Sequence, residues 1–336
     1  MILVVRYWVL LISMFLFSCQ HGMNQSVIIG ETQGTTYTIK YNSHIPYTIT
    51  KTQIDSLLRN IDISMSTYNP QSIISSINTG EDVILDSLIK IVLRKSISIC
   101  HETNGMFDVT VSPIVNNWGF GPNGHNINKS KISNSKYYEM IIGCDKIILQ
   151  GDKLVKEENT TIDLNGIAQG FTVDYIADFF FAQDIDNFMI EVGGEVRCSG
   201  NNFKKTWKIA IDKPTHKSRK ILFVLSLNNF SLATSGSYRK FYYNEDSIKV
   251  SHTINPQKRA PVINNLLSAT VLHKDCMVAD AYATACMSFG LAESKLFLDT
   301  MKAPACLIYV ENKDTMHYFA NDFSSFLHFR PGSAPQ

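Results

Sequence analysis

An excess of charge of either sign is missing from this sequence. Its 31 Lys and Arg residues face 30 Asp and Glu residues, a net charge of +1. Such a balance leaves no electrostatic footprint for nucleic acid or another polyanion. Internal repeats and Pro/Ser-rich linkers are also absent, which excludes solenoid arrays and beads on a string. The seven cysteines form no C-x-x-C pair and have no His partner at zinc-ligand spacing. With 45% hydrophobic and 18% charged residues, the composition is globular, neither collagenous nor disordered. A chain of 336 residues makes one large unit or two interlocked ones, at roughly 100–200 residues per domain, and has room for a sizeable core.

No apolar run is long enough to span a bilayer comfortably, which takes ~20 residues. The stretch Tyr7 to Phe17, after Arg6, instead fits the apolar core of a secretory signal. It ends in Leu16-Phe17-Ser18-Cys19, a small residue before cysteine that resembles a bacterial lipobox. The expectation is a signal over residues 1–18, lipid on Cys19, a linker over 19–30 and a folded domain over 31–330. The alternative is a plain signal or an uncleaved anchor. An exported chain can oxidise some cysteines, but the apolar settings of Cys100 and Cys286 suggest buried free thiols for several.

Gln33 to Tyr41 alternates as a strand does, and Ile54, Leu57, Leu58 and Ile61 follow helical spacing. A helix is expected from Ser87 to Thr103, stopped by Asn104-Gly105. Gly105 to Val111 is expected to begin a strand, 116–134 to be loop, and 146–162 to form short strands. A helix is expected from Gly166 to Ala182. Strands are expected at 188–192, 206–212, 221–227, 230–234, 269–273 and 305–310, and helices at 278–289 and 292–301. Strands in runs rather than in strict alternation with helices argue α+β with largely antiparallel sheet flanked by helices.

Four clusters carry potential chemistry. Asp163-Leu164-Asn165-Gly166-Ile167-Ala168-Gln169-Gly170 runs from a strand end into a helix, where backbone N–H groups favour phosphate. A tight turn capped by Asp163 or Asn165 explains it equally well. Asp280 and Thr284 are four apart and share a helix face among small residues. A carboxylate with a hydroxyl makes a hard oxygen site suited to magnesium. The alternatives are a capping or exposed Asp280, and a Thr284 bonded to its own turn. Gly193-Gly194 allows close backbone approach or simply a turn. His252, before Asn255-Pro256, can accept a proton from a hydroxyl near neutral pH, or be structural. Tyr68 stands where a ring can stack on a flavin or a base, and Phe107 otherwise reads as core.

Taken in order, "STYNPQSIISSIN", "GMFDVTVSP" with "WGF", "IDLNGIAQGFTVD", "EVGGEVR", "LATSGSY", "SHTINP" and "ADAYATA" resemble the ApbE family of FAD:protein FMN transferases. The resemblance runs from about Gln33 to Val310 and implies a two-lobed unit with its site between the lobes. It implies magnesium-dependent transfer of FMN from FAD to a threonine hydroxyl of a partner protein, with release of AMP. The implied acceptors are subunits of Rnf-type or sodium-pumping quinone oxidoreductase complexes, met by a lipid-anchored enzyme facing the periplasm. The alternatives are a pyrophosphatase that cuts FAD to FMN and AMP, and a flavin-holding lipoprotein without catalysis. Residue by residue, the resemblance implies Gly166, Asp280 and Thr284 at the metal. It implies Gln33, Tyr68, Met106, Phe107, Asp108, Asp163, Gln169 and Ile254 at FAD, and His252 as base. Gln33, Gln169, Glu195, Asn255 and Lys258-Arg259 depart from the family's usual Met, Lys, Asp, Asp and Thr-Gly, and the change at Gln169 removes a positive charge near the diphosphate.

Overall fold

The computed structural model describes residues 22–45, 48–122, 124, 135–215, 220–238, 241–243 and 249–329. The expected signal and Cys19 lie outside these residues. The chain opens with a hairpin, β1 (Asn24–Thr32) and β2 (Thr35–Ser43). β1 therefore begins inside the segment expected to be linker. Its turn is Gln33-Gly34, both at positive φ (50° and 71°), as a two-residue hairpin turn requires.

Three helices follow, α1 (Lys51–Met65), α2 (Ile73–Thr79) and α3 (Ser87–Glu102). Thr50 and Gln53 form a capping box on α1, and Ser72 and Asp86 cap the next two. α3 ends where Asn104 and Gly105 turn to positive φ, and the Gly105 N–H closes on the Cys100 carbonyl at 2.7 Å. The strand expected over Gly105 to Val111 is instead a 3-10 turn, Val109–Val111, running into α4 (Ser112–Asn117). Asp108 accepts from the Thr110 N–H at 2.8 Å and Pro113 opens the helix. Local capping and a first-turn proline outweigh the β-branched run.

After α5 (Ser135–Ile141) comes the hairpin β3 (Ile147–Gln150) and β4 (Lys153–Lys156), then α6 (Ala168–Phe181). The second half contains β5 (Phe188–Val192), β6 (Glu195–Ser199), β7 (Trp207–Asp212), β8 (Ile221–Leu227) and β9 (Phe230–Gly236). Short ribbons β10 (Phe241–Tyr243) with β11 (Lys249–Ser251), and β12 (Ile254–Asn255) with β13 (Ala260–Pro261), lead to β14 (Leu266–His273). Then come α7 (Cys276–Phe289), α8 (Leu291–Met301), β15 (Ala305–Glu311), β16 (Asp314–Ala320) and β17 (Leu327–Phe329).

The main sheet has the order β1-β2-β5-β6-β9-β14-β15-β16, and each neighbouring pair is antiparallel. This is the expected α+β class. One face carries α6 and α7. The other is covered toward its centre by the small sheet β17-β8-β7. Alternation divides each central strand between them: Ala269, Val271, Ala305 and Leu307 face the helical core, while Leu272, Cys306 and Ile308 pack on Trp207, Phe223 and Leu225. With both faces covered, these strands read as continuous apolar runs. α7 is buried at every residue except Thr284 and Phe289, as a helix apolar all round must be.

Cys100 is disulfide-bonded to Cys144, contrary to the free thiol suggested by its apolar neighbours. The bond ties the end of α3 to the short turn before β3. Cys198, Cys276, Cys286 and Cys306 are buried and outside any disulfide among the described residues.

Candidate functional site

α6 and α7 approach unusually closely because Gly170 has no side chain. A Cβ there would lie 2.5 Å from the Cys276 carbonyl oxygen and 2.8 Å from the Asp280 Cβ. The Gly170 N–H donates to Asp280 Oδ2 at 3.0 Å. One turn further along α6, Asp174 accepts from the Cys276 and Met277 N–H groups at 3.0 and 2.9 Å. It also accepts from Arg197 Nη1 at 2.6 Å. Asp174 thus caps α7 from another helix, while Asp275 supplies no side-chain cap. Residues 170 and 174 together fix where α7 carries Asp280 and Thr284.

Asp280 is 4% exposed, neither a cap nor a surface carboxylate. Burial raises its pKa, the Gly170 N–H opposes the rise, and the nearby Asp174 adds to it. Among the described residues no hydrogen bond is made to its Oδ1, the oxygen that could meet a cation. The Thr284 hydroxyl does not bond to its own turn. It lies 3.1 Å from the Ser235 Oγ at the end of β9. Gly166 adjoins Thr284: a Cβ there would fall 3.2 Å from Thr284 Oγ1 and 3.3 Å from the Phe107 ring. Among the described residues no three His, Cys, Asp or Glu side chains converge as metal ligands. One carboxylate, one hydroxyl and a backbone carbonyl are a hard-oxygen set, which fits magnesium.

The rest of the candidate set lies around this point to differing degrees. Gln33 donates to Thr172 Oγ1 on α6 at 2.8 Å. Gln169 packs on the neighbouring hairpin tip, with its Nε2 2.7 Å from a Cβ placed on Gly193. Met106, Phe107 and Asp108 are buried. Asp108 accepts from the Thr110 hydroxyl at 2.6 Å, and burial, with a smaller push from Asp145, lifts its pKa to about 6. Asp163 accepts from the Asn165 N–H at 2.8 Å, so it also caps the turn. Ile254 is buried, and its carbonyl accepts from Ser288 on α7 at 2.9 Å. His252 is half-buried with its ring edge-on to Phe120, centroids 6.3 Å apart. Tyr68 is 67% exposed at the turn after α1, so the protein alone does not bury its ring. Arg259 lies 3.8 Å from Glu139 on α5.

Sequence reasoning missed the role of Ser235, the Asp174–Arg197 pair and the packing of Gly170, which it read only as part of a helix-start turn. No spacing links Ser235 to Thr284. Only for Gly170 was there a local signal, a glycine inside a helical run, which points to a close packing contact.

This architecture, an antiparallel sheet with two buried helices packed against one face, is a known one. The ApbE family model matches residues 33–308, and the chain belongs to that family. The FAD:protein FMN transferase of Vibrio cholerae is 33% identical over 332 residues, covering 96% of this chain and 99% of that protein. The enzyme of the same name from Haemophilus influenzae is 36% identical over 290 residues, 82% of this chain and 84% of its own. Among solved structures, the flavin transferase ApbE from Vibrio cholerae superposes with a TM-score of 0.80 at 32% identity, covering 91% of this chain and all of that one.

Proposed function

We propose that this chain is a FAD:protein FMN transferase that uses magnesium and a threonine acceptor. Transfer of FMN from FAD to a protein rests on the shared family and on relatives of that name. The reading of the chemistry is supported by the contact of Gly166 with Thr284 and by the Gly170 N–H on Asp280 Oδ2 at 3.0 Å, with Asp280 one turn from Thr284 on α7. Magnesium held there supplies neutralisation of the pyrophosphate charge, which otherwise repels an incoming oxygen.

The protein's own groups do the rest. The Gly170 N–H holds one Asp280 oxygen and leaves the other toward the ligand. Ser235 aims the Thr284 hydroxyl. The N-terminal turn of α6 presents backbone N–H groups to phosphate. His252, on the chain entering β12, takes the proton from the acceptor hydroxyl. The threonine oxygen then bonds to the FMN phosphorus, the phosphoanhydride bond breaks, and AMP leaves with the bridging oxygen. Gln169 at the tip of Gly193 supplies amide hydrogen bonding where the family usually has an ammonium.

The placement in the cell is part of the same reading. The leader over 1–18 and the small residue before Cys19 support a lipid-anchored protein of the bacterial envelope with its domain in the periplasm. The acceptors are subunits of Rnf-type or sodium-pumping quinone oxidoreductase complexes or similar FMN-accepting domains. The test incubates the enzyme with FAD, magnesium and a threonine-bearing acceptor domain of an Rnf-type subunit, and reads intact acceptor mass with FMN and AMP in solution. A gain of one FMN with equal AMP is expected. Free FMN and AMP with an unmodified acceptor would mean a pyrophosphatase, and uncut FAD a binding protein.

A further inference from the structure

The expected site and the chain's N-terminal end lie at opposite ends of the main sheet. Gln33-Gly34, Gly193-Gly194 and Ser235 are at one end, as the register from Tyr37↔Val192 and Val192↔Glu195 requires. Asn24, paired with Ser43, is at the other. β1 is nine residues long, so the two ends are about 30 Å apart.

The end that holds Asn24 has a distinct surface. Gln25 donates to Asn202 Oδ1 at 2.8 Å, which seats the 200–206 loop beside the start of β1. At the tip of that loop Phe203 is 49% exposed, and Ile45, just past β2, is 69% exposed. Lys204 and Lys205 follow Phe203, are exposed and make no ion pair among the described residues. Asp186, in the turn before β5, borders this loop through its backbone, its carbonyl lying against Gly200. Burial first, and Lys205 next, hold the Lys208 pKa below its ordinary value. Exposed apolar tips beside unpaired ammoniums suit the boundary between acyl chains and anionic headgroups.

We propose that this end of the sheet rests on an anionic lipid surface, with Phe203 and Ile45 dipping into it and Lys204 and Lys205 on its headgroups, so that the catalytic end points away from the membrane. The inference rests on the lipid anchor in the reading above. From Cys19 to Asn24 the chain spans at most about 17 Å, too short to let the domain turn over freely. The acceptor threonine must then be presented roughly 30 Å above the bilayer, one strand length up.

The test uses the full chain, reconstituted into vesicles of phosphatidylethanolamine and phosphatidylglycerol. A nitroxide is placed on Phe203→Cys or, at the far end, on Asp314→Cys. Cys198, Cys276, Cys286 and Cys306 are buried and do not compete for label. The label at 203 is expected to be reached severalfold less by a nickel chelate, and more by oxygen, than the label at 314. Lys204→Glu/Lys205→Glu is expected to return it to the chelate. Equal chelate access at 203 and 314, on a chain whose Cys19 carries lipid by mass, would overturn this orientation and leave the anchor standing. An unlipidated Cys19 would overturn both. A label at 203 unmoved by the double substitution would overturn the headgroup contact.

Discussion

Gly170→Ala tests how the two site helices are held. By helix propensity alone the change stabilises α6 by about 1 kcal/mol. The structure demands the opposite sign. The new Cβ would stand 2.5 Å from the Cys276 oxygen and 2.8 Å from its carbonyl carbon. Both are backbone atoms of α7 and no rotamer change moves them. The helices must separate by about 0.5–1 Å, an overpacking cost of up to about 3 kcal/mol. The net expectation is a loss of about 2 kcal/mol, the clash less the propensity gain. The same separation stretches the Gly170 N–H bond to Asp280, so affinity at the proposed magnesium site is expected to fall as well. Urea unfolding reads the first effect and manganese titration by paramagnetic resonance the second. A variant as stable as the parent, or more stable, would refute the argument that this contact fixes the helix pair.

Four further outcomes follow from particular contacts. Asp280→Ala is expected to abolish magnesium-dependent turnover in a protein that remains folded by circular dichroism; unchanged turnover would remove the metal site. His252→Ala is expected to slow transfer by roughly 10²–10⁴-fold with little change in FAD affinity; equal losses in both would make His252 a pocket wall. Asp108, lifted to about 6 by burial, holds its stabilising contribution whole below about pH 4 and loses it as pH rises through its folded pKa. The loss amounts to up to about 3 kcal/mol, so Asp108→Asn should flatten the stability of the unliganded protein between pH 4 and 6, and a persisting slope would assign it to another group. Reducing the Cys100–Cys144 bond, which closes a 44-residue separation, should lower stability by up to about 4 kcal/mol in the chain-entropy account; a melt indifferent to reductant would show that the bond does not form.

What the sequence alone determined about this protein is whatever near neighbours decide. Period and capping placed β5 and β8 at their observed bounds and α3 within a residue of its end, because those signals act within one turn or one strand. The i,i+4 spacing put Asp280 and Thr284 on one face for the same reason. The order of the motifs carried the family, and with it residues such as Gly166 that no local pattern joins to α7. Tertiary structure alone decided the rest. It chose Cys144 for Cys100 across 44 positions. It brought Ser235 to Thr284 and made Asp174 the cap of a helix 102 residues away. Those partners meet only once the sheet has assembled, and packing rather than sequence distance selects which buried polar groups find each other.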